Sequence, residues 1–194
     1  MMQQSKTLIL LIVTALLISV TACGGGDKEE SPAAPNTQQT TSSQTTGSGE
    51  CVFEVNGDCS GLDLSYQNLS AVVAPGINLR GANLTGAVLD GAMLIGAKLT
   101  GAELSGASLA HANLSAATLS QIQATGAIFF ETNLSHADLI QANLSAAIFI
   151  QTDLRSANLT GSITEGLVDR RTFKCGTIWA DGTLNNSSCE ASSN

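Results

Sequence analysis

Histidine, the side chain most often used for acid–base and metal chemistry near neutral pH, occurs only at positions 111 and 136. His111 and His136 lie 25 residues apart, and neither stands in a spacing typical of a zinc site or a Ser-His-Asp triad. Glycines recur every five residues, but the Lys-Ser or Lys-Thr of a phosphate-binding loop does not accompany them. The sequence therefore predicts no catalytic site, no metal, no cofactor and a protein that is not an enzyme.

Cys23 follows an apolar segment and predicts covalent lipidation. Lys6 supplies a positive charge, and the 16 residues 7–22 are mostly aliphatic, which is short for a spanning helix and typical of a signal peptide. The end of this segment resembles a bacterial lipobox, Val20-Thr21-Ala22-Cys23. The resemblance implies cleavage before Cys23 and acylation of its thiol and amino group, and two or more chains anchor stably. The alternative is an N-terminal anchor that stays uncleaved.

The composition of the chain limits its possible functions and indicates how its N-terminal part is organised. The chain has 194 residues and a net charge of −8, which argues against a sequence-independent nucleic-acid binder. Residues 24–50 contain no Leu, Ile, Val, Met or aromatic side chain, so they cannot offset the entropy of ordering. We therefore predict a signal peptide at 1–22, and a lipidated Cys with a disordered tether at 23–50. Gly24 follows Cys23 without an Asp, which by resemblance to Gram-negative lipoproteins favours the outer membrane.

From residue 62 onward the sequence repeats every five residues, as in Ala97-Lys98-Leu99-Thr100-Gly101. Of the 20 central positions from 64 to 159, 16 hold Leu, and the position two residues earlier is mostly Ala. Five residues advance about 500° around an α-helix, so the Leu side chains would form no single stripe. A regular β-strand does not explain the five-residue period either, because its side chains repeat every two residues. The period predicts short extended pieces joined by corners, stacked as a solenoid.

The A-(D/N)-L-x-x pattern resembles the pentapeptide-repeat family. The resemblance implies an all-β fold, a right-handed quadrilateral β-helix with four units per coil and about five coils, roughly 24 Å long. The expected domains are an N-terminal cap at 51–61, the β-helix at 62–162 and a C-terminal cap at 163–194. Because residues 20 apart then stack, Phe129 and Phe149 should lie one above the other on one face.

The four remaining cysteines, Cys51, Cys59, Cys175 and Cys189, predict disulfides in an oxidising compartment. Bridged Cα atoms lie about 4.4–6.8 Å apart, whereas the solenoid between the two pairs is roughly 24 Å long. We therefore predict Cys51–Cys59 and Cys175–Cys189, each closing a cap. Zinc is the competing interpretation, but the C-x-x-C or neighbouring His that it usually requires is missing.

The residues that point to a function form an outward apolar patch, predicted as a protein-binding surface: Ile128, Phe130, Ile148 and Ile150. The C-terminal segment with Phe173 and Trp179 could instead cover it. We expect a non-enzymatic envelope lipoprotein that acts as a structural or protein-binding module. Its partners would be the membrane, through the lipid, and an envelope protein or a second copy.

Two alternatives remain. One is DNA mimicry, as in the gyrase-protecting members of the family; six acidic against three basic residues in 62–161 give only −3 for a duplex mimic. The other is a glycan-type ligand on a regular hydroxyl face, formed by Ser65, Thr85, Ser105, Thr125 and Ser145.

Overall fold

The computed structural model describes residues 51–189, so the predicted signal peptide (1–22), the acceptor Cys23 and the tether (23–50) lie outside the described residues. Parallel bridges link residues 20 apart. One column begins with Asp58, Asn78 and Lys98 and ends at Ile178, and three more columns start at Asp63, Asn68 and Val73. Each 20-residue turn thus has four sides, and the part of the chain described here is a β-helix without an α-helix.

The four sides of the solenoid are numbered as faces 1 to 4, and each is identified by the central residues that it carries. Face 1 carries Leu84 and Leu104, face 2 Leu89 and Leu109, face 3 Leu94 and Leu114, and face 4 Leu99 and Leu119. All these Leu side chains are fully buried, as are the Ala residues two positions before them. The outward residues directly before and after each centre cover the surface. The predicted inward register is therefore the one observed.

The corners explain the glycines. The residue two after each centre has a positive φ, for example 65° at Gly96, at five-residue intervals from Asn56 to Gly176. At Gly96 the Ala97 N–H donates to the Leu94 carbonyl at 3.0 Å, which closes a four-residue turn. Such a turn needs a positive φ at its third residue, and glycine adopts this conformation without steric cost.

The Asn and Asp residues before the centres satisfy the corner backbone. The Oδ1 of Asn83, for example, accepts the N–H of Thr85 at 3.1 Å. The same contact lowers the pKa of Asp63, whose carboxylate accepts hydrogen bonds from the side chain and then the backbone of Ser65. These side chains also bond along the column, as Asn83 Nδ2 does to Asp63 Oδ1 at 3.0 Å. The family-like A-(D/N)-L pattern therefore has a local hydrogen-bonding reason.

Among residues 51–189, five segments are long enough to count as strands. On face 2, β1 (Ile128–Phe130), β2 (Ile148–Ile150) and β3 (Val168–Arg170) form a parallel sheet in the order β1-β2-β3. At the C-terminal end, β4 (Thr177–Ile178) and β5 (Leu184–Asn185) pair antiparallel. Phe129 pairs with Phe149, and their buried rings meet edge to face with centroids 4.8 Å apart. The predicted stacking of these two residues is confirmed.

Stacking extends past the segment 62–162 for which about five coils were expected. Bridges join Asp58 to Asn78 at one end and Asn158 to Ile178 at the other. Residues within the expected caps therefore share the parallel ladder. Both predicted disulfides are present, Cys51–Cys59 and Cys175–Cys189, and Cys59 occupies a fully buried central position.

The last layer of the core is polar. Where upper layers carry Leu or Phe, its central positions hold Thr164, Asp169, Lys174 and Trp179. The Lys174 ammonium pairs with the Asp169 carboxylate, and it also lies 4.9 Å from the centroid of the Trp179 ring. This charged layer ends the apolar column, and within the described part of the chain no further coil follows it.

No helix able to cross a bilayer was found among residues 51–189.

Candidate functional site

The predicted apolar patch, called the C-terminal patch (Ile128, Phe130, Ile148 and Ile150), lies on face 2. Ile128 stacks on Ile148 and Phe130 on Ile150 because β1 and β2 pair in register. Ile128 is exposed, whereas the other three are half-buried. The C-terminal patch is therefore less exposed than four fully protruding side chains would be. Val168 of β3 stacks on Ile148 and extends the apolar surface by one coil.

The C-terminal segment lies elsewhere. Phe173 stacks below Asp153 on face 3 and is half exposed, and Trp179 packs against the core from face 4. Residues 184–189 then fold back beneath these same two faces, through β4–β5 and the Cys175–Cys189 bridge. The interpretation that Phe173 and Trp179 cover the C-terminal patch is therefore wrong, because the corner geometry places both on other faces.

A second apolar surface, which the sequence analysis missed, lies at the opposite end on face 3. This N-terminal patch consists of Val55, Val73, Pro75, Met93 and Ile95. Val73 bridges Met93, while Pro75 lies between Val55 and Ile95 in the neighbouring column. Val55, Val73, Met93 and Ile95 are 63%, 49%, 43% and 39% exposed, more than Ile128 at 38%. Applying the 20-residue spacing to outward positions would have revealed it.

The two histidines are separated, as their spacing predicted. His111 Nδ1 lies 3.2 Å from Glu131 Oε2 in an exposed column on the corner after face 2, and its ring meets Phe130 edge to face at 5.4 Å. His136 lines a shallow polar groove with Ser135, Arg155, Ser156 and Cys175. Both arrangements are surface contacts of the kind that stacked side chains make every 20 residues.

An acidic side chain near that groove is held ionised. Burial alone would raise the pKa of Asp153, but hydrogen bonds and charge from Arg155 outweigh it, and the pKa is lowered. Arg155 Nη2 lies 2.6 Å from Asp153 Oδ2. A carboxylate that is already paired in this way is a poor proton acceptor. Within residues 51–189, no group of three or more His, Cys, Asp or Glu side chains could hold a metal ion.

Comparison with known proteins agrees with this architecture. A family model described as "Pentapeptide repeats" matches in eight copies that together span residues 63–163, just over half of the chain. No curated protein sequence matches.

The solved structures that are similar to this chain include the following three. HetL, a pentapeptide repeat protein involved in heterocyst differentiation regulation from the cyanobacterium Nostoc sp. strain PCC 7120, is 27% identical over 66% of this chain and 78% of its own, with a TM-score of 0.30. Rfr23 from the cyanobacterium Cyanothece 51142 is 24% identical over 60% and 90%, with a TM-score of 0.29. QnrB1, a plasmid-mediated fluoroquinolone resistance protein, is 17% identical over 64% and 71%, with a TM-score of 0.33.

Proposed function

Because the chain belongs to the pentapeptide-repeat family, we propose that it is a non-enzymatic protein-binding module held at the cell envelope by a lipid on Cys23. The observation that carries this proposal is apolar surface that the fold does not need. The interior is already filled by Leu, Ala and two Phe side chains. Large apolar residues nevertheless face outward on two sides, and contiguous exposed apolar surface typically marks a contact site.

Rigidity suits these patches for binding. Outward side chains on stacked strands repeat about every 4.8 Å, so a partner meets a flat, regular surface. Little conformational entropy remains to be lost from the backbone, since each coil is bonded to the next, as in Leu109 N–H to the Ile128 carbonyl at 2.9 Å. The C-terminal patch lies beside two polar groups, His111 and Glu131, that could orient a partner at its rim.

The envelope location rests on two independent features. Two disulfides close the ends of the solenoid, and disulfides persist in oxidising compartments such as the periplasm. The lipobox-like Val20-Thr21-Ala22-Cys23 supplies the anchor. Cys23→Ser should release the protein from membranes or leave it as an uncleaved precursor, measured by fractionation and intact mass. A mature, membrane-bound Cys23→Ser protein would show that the anchor is not this lipid.

The binding surface is tested by placing two charges on it. Ile128→Lys with Ile148→Lys raises the net charge by two, and Glu103→Lys makes the same change at an exposed outward position of face 1. We expect both variants to keep the melting temperature to within a few degrees. Only the double variant should lose the proteins recovered by pull-down of the full chain from envelope extract. Equal recovery with both variants would remove the C-terminal patch as the binding surface.

The DNA-mimic alternative finds little support in the placement of charge. A duplex mimic requires carboxylates in continuous rows, whereas here Glu103 lies on face 1, Glu131 on the corner after face 2 and Asp138 on face 4. Asp153 is neutralised by Arg155. The protein-binding proposal therefore stands ahead of it.

A further inference from the structure

The N-terminal patch (Val55, Val73, Pro75, Met93 and Ile95) is an exposed apolar surface at the end of the solenoid where the described chain begins. Its residues stack in two columns on face 3 and span two strand spacings, about 10 Å. Four of the five side chains are at least 39% exposed. Contiguous apolar surface of this kind marks a contact site, and the side chains around it indicate what kind of surface it contacts.

The outward positions of face 3 and the corners beside the patch are uncharged. The next two coils of face 3 carry Asn113, Ser115, Asn133 and Ser135 at these positions. The flanking corners hold Ala71 and Gly91 on one side, and Asn56, Gly76 and Gly96 on the other. A protein interface usually has a polar rim that orients the partner. The C-terminal patch has such groups in His111 and Glu131, whereas the N-terminal patch is bordered by small, uncharged side chains.

Carboxylates on the two neighbouring faces are engaged within the protein. Asp58 Oδ1 on face 4 accepts a hydrogen bond from Asn78 Nδ2 at 3.0 Å. Asp90 Oδ1 on face 2 accepts one from the Ser108 hydroxyl at 2.6 Å. The exposed charges beside the patch include one of each sign, Glu54 and Lys98. The surface is therefore suited to an apolar contact that does not depend on the charge of the partner.

The chain enters the solenoid at this same end. The Cys51–Cys59 disulfide holds Cys51 beside the first coil, with the two Cα atoms 5.0 Å apart, and Val55 follows four residues later. Cys23 precedes Cys51 by 28 residues, which is at most about 100 Å of extended chain. A lipid on Cys23 thus keeps the N-terminal end near the bilayer, where a weak second contact acts at high effective concentration.

We propose that the N-terminal patch rests on the lipid bilayer, with its aliphatic side chains at the boundary between headgroups and acyl chains. The inference rests on the proposed function, because the lipid on Cys23 brings the patch to the bilayer. Face 2 lies a quarter turn away from face 3, so the C-terminal patch stays free to bind a protein. The bilayer contact therefore orients the solenoid, whereas the lipid alone only locates it.

Met93 reports on this contact, because it lies in the patch, is 43% exposed and is the only methionine after position 2. The acylated full-length mature chain is reconstituted in phosphatidylcholine vesicles and treated with hydrogen peroxide, and sulfoxide formation at Met93 is followed by peptide mass spectrometry. The reference is the mature Cys23→Ser chain, produced without residues 1–22. We expect oxidation about fivefold slower or more in the acylated chain, since the bilayer covers the sulfur. Added salt should not change this ratio.

Two matched variants locate the contact. Val73→Lys with Ile95→Lys places two charges in the N-terminal patch and should bring Met93 oxidation in vesicles to the rate of the unanchored chain. Ile128→Lys with Ile148→Lys makes the same charge change on the C-terminal patch and should leave Met93 protected. Each variant is compared with its own unanchored form, so that any effect of a new lysine on the intrinsic oxidation rate cancels.

Three results would overturn the proposal. The first is equal oxidation of Met93 in the acylated and unanchored chains. The second is slow oxidation of the unanchored chain that becomes fast on dilution, since a second copy would then be the occupant of the patch. The third is an intact mass without acyl chains on Cys23, which would overturn the proposed anchor together with this inference. The intact mass therefore distinguishes failure of the anchor from failure of the bilayer contact.

Discussion

The polar layer that ends the core offers the sharpest test of how this solenoid stops. Lys174 and Asp169 are only 17% and 21% exposed at their side chains, and the Thr172 hydroxyl donates to Asp169 Oδ1 at 2.5 Å. Removing one member of a fully buried ion pair costs about 3–5 kcal/mol, because it leaves an uncompensated charge. With about a fifth of each side chain in water, we expect about 2 kcal/mol for Asp169→Leu and about the same for Lys174→Leu.

The double change should behave differently from the sum of the two. Asp169→Leu with Lys174→Leu restores the kind of layer found in the coils above, and replacing an ion pair by apolar residues is often neutral or stabilising. We expect the double variant to lie within about 1 kcal/mol of the unmodified chain. The interaction energy between the two positions would then be at least about 3 kcal/mol, which is at or above the upper end of what contacting residues show.

Trp179 provides the assay. It is the only tryptophan, and its ring lies 4.9 Å from the Lys174 ammonium, so its fluorescence reports on this layer. Urea unfolding under oxidising conditions gives the free energy of unfolding for each variant. Arg155→Ala is the control, since it removes a cation that is 61% exposed where Lys174 is 17% exposed, and it should cost below about 1 kcal/mol. A double variant that loses the sum of the single losses would refute the reasoning that the two charges compensate each other.

Three further predictions concern the repeat itself. Leu104 is fully buried, so Leu104→Asp should lower the free energy of unfolding by several kcal/mol, because it buries an unpaired carboxylate. Glu103 is exposed, and Glu103→Ala should change it by no more than about 0.5 kcal/mol. Similar melting shifts for the two variants would contradict the inward register. At the corners, Gly96 has a φ of 65° and open space around an added Cβ, so Gly96→Ala should destabilise by about 1 kcal/mol through backbone strain alone. Ala116 has a φ of 56°, so Ala116→Gly should leave the melting temperature unchanged or raise it. A large fall in melting temperature would show that the contacts of the Ala116 methyl group outweigh the relief of backbone strain.

The core of the solenoid could be predicted from the five-residue period because its signal is repeated and local. Leu at the centre and Ala two residues before it fill the interior of most units, and glycine takes the positive φ at 12 of the 25 corners from 56 to 176. The stacking of Phe129 on Phe149 followed once the resemblance implied four units per coil. Large apolar side chains on the outside do not follow the five-residue period, so the N-terminal patch could be found only by comparing outward positions 20 residues apart, such as Val73 and Met93.

The ending of the solenoid was not predictable from the apolar pattern. The last central positions are Thr164, Asp169 and Lys174, so the Leu signal stops before the bridges do. Gly166 and Gly176, with φ of 68° and 71°, still mark corners there. They were the remaining sequence signal that the coils continue beyond the last Leu. Buried threonines carry a further contact that no period reveals. The hydroxyl of Thr132, in place of the usual Ala, donates to the Leu109 carbonyl at 2.7 Å.

The solenoid turns a corner every five residues and completes a coil every 20. The distance between two surface patches and their relative orientation can therefore be changed independently. Inserting 20 residues between Ile95 and Ile128 would move the two apolar patches apart by one strand spacing, about 4.8 Å, without changing the directions in which they face. Inserting five would turn every later face by a quarter of a revolution relative to the earlier ones. Separation and orientation of two contact surfaces can thus be altered by duplicating or losing whole units, with no change to any side chain in either surface.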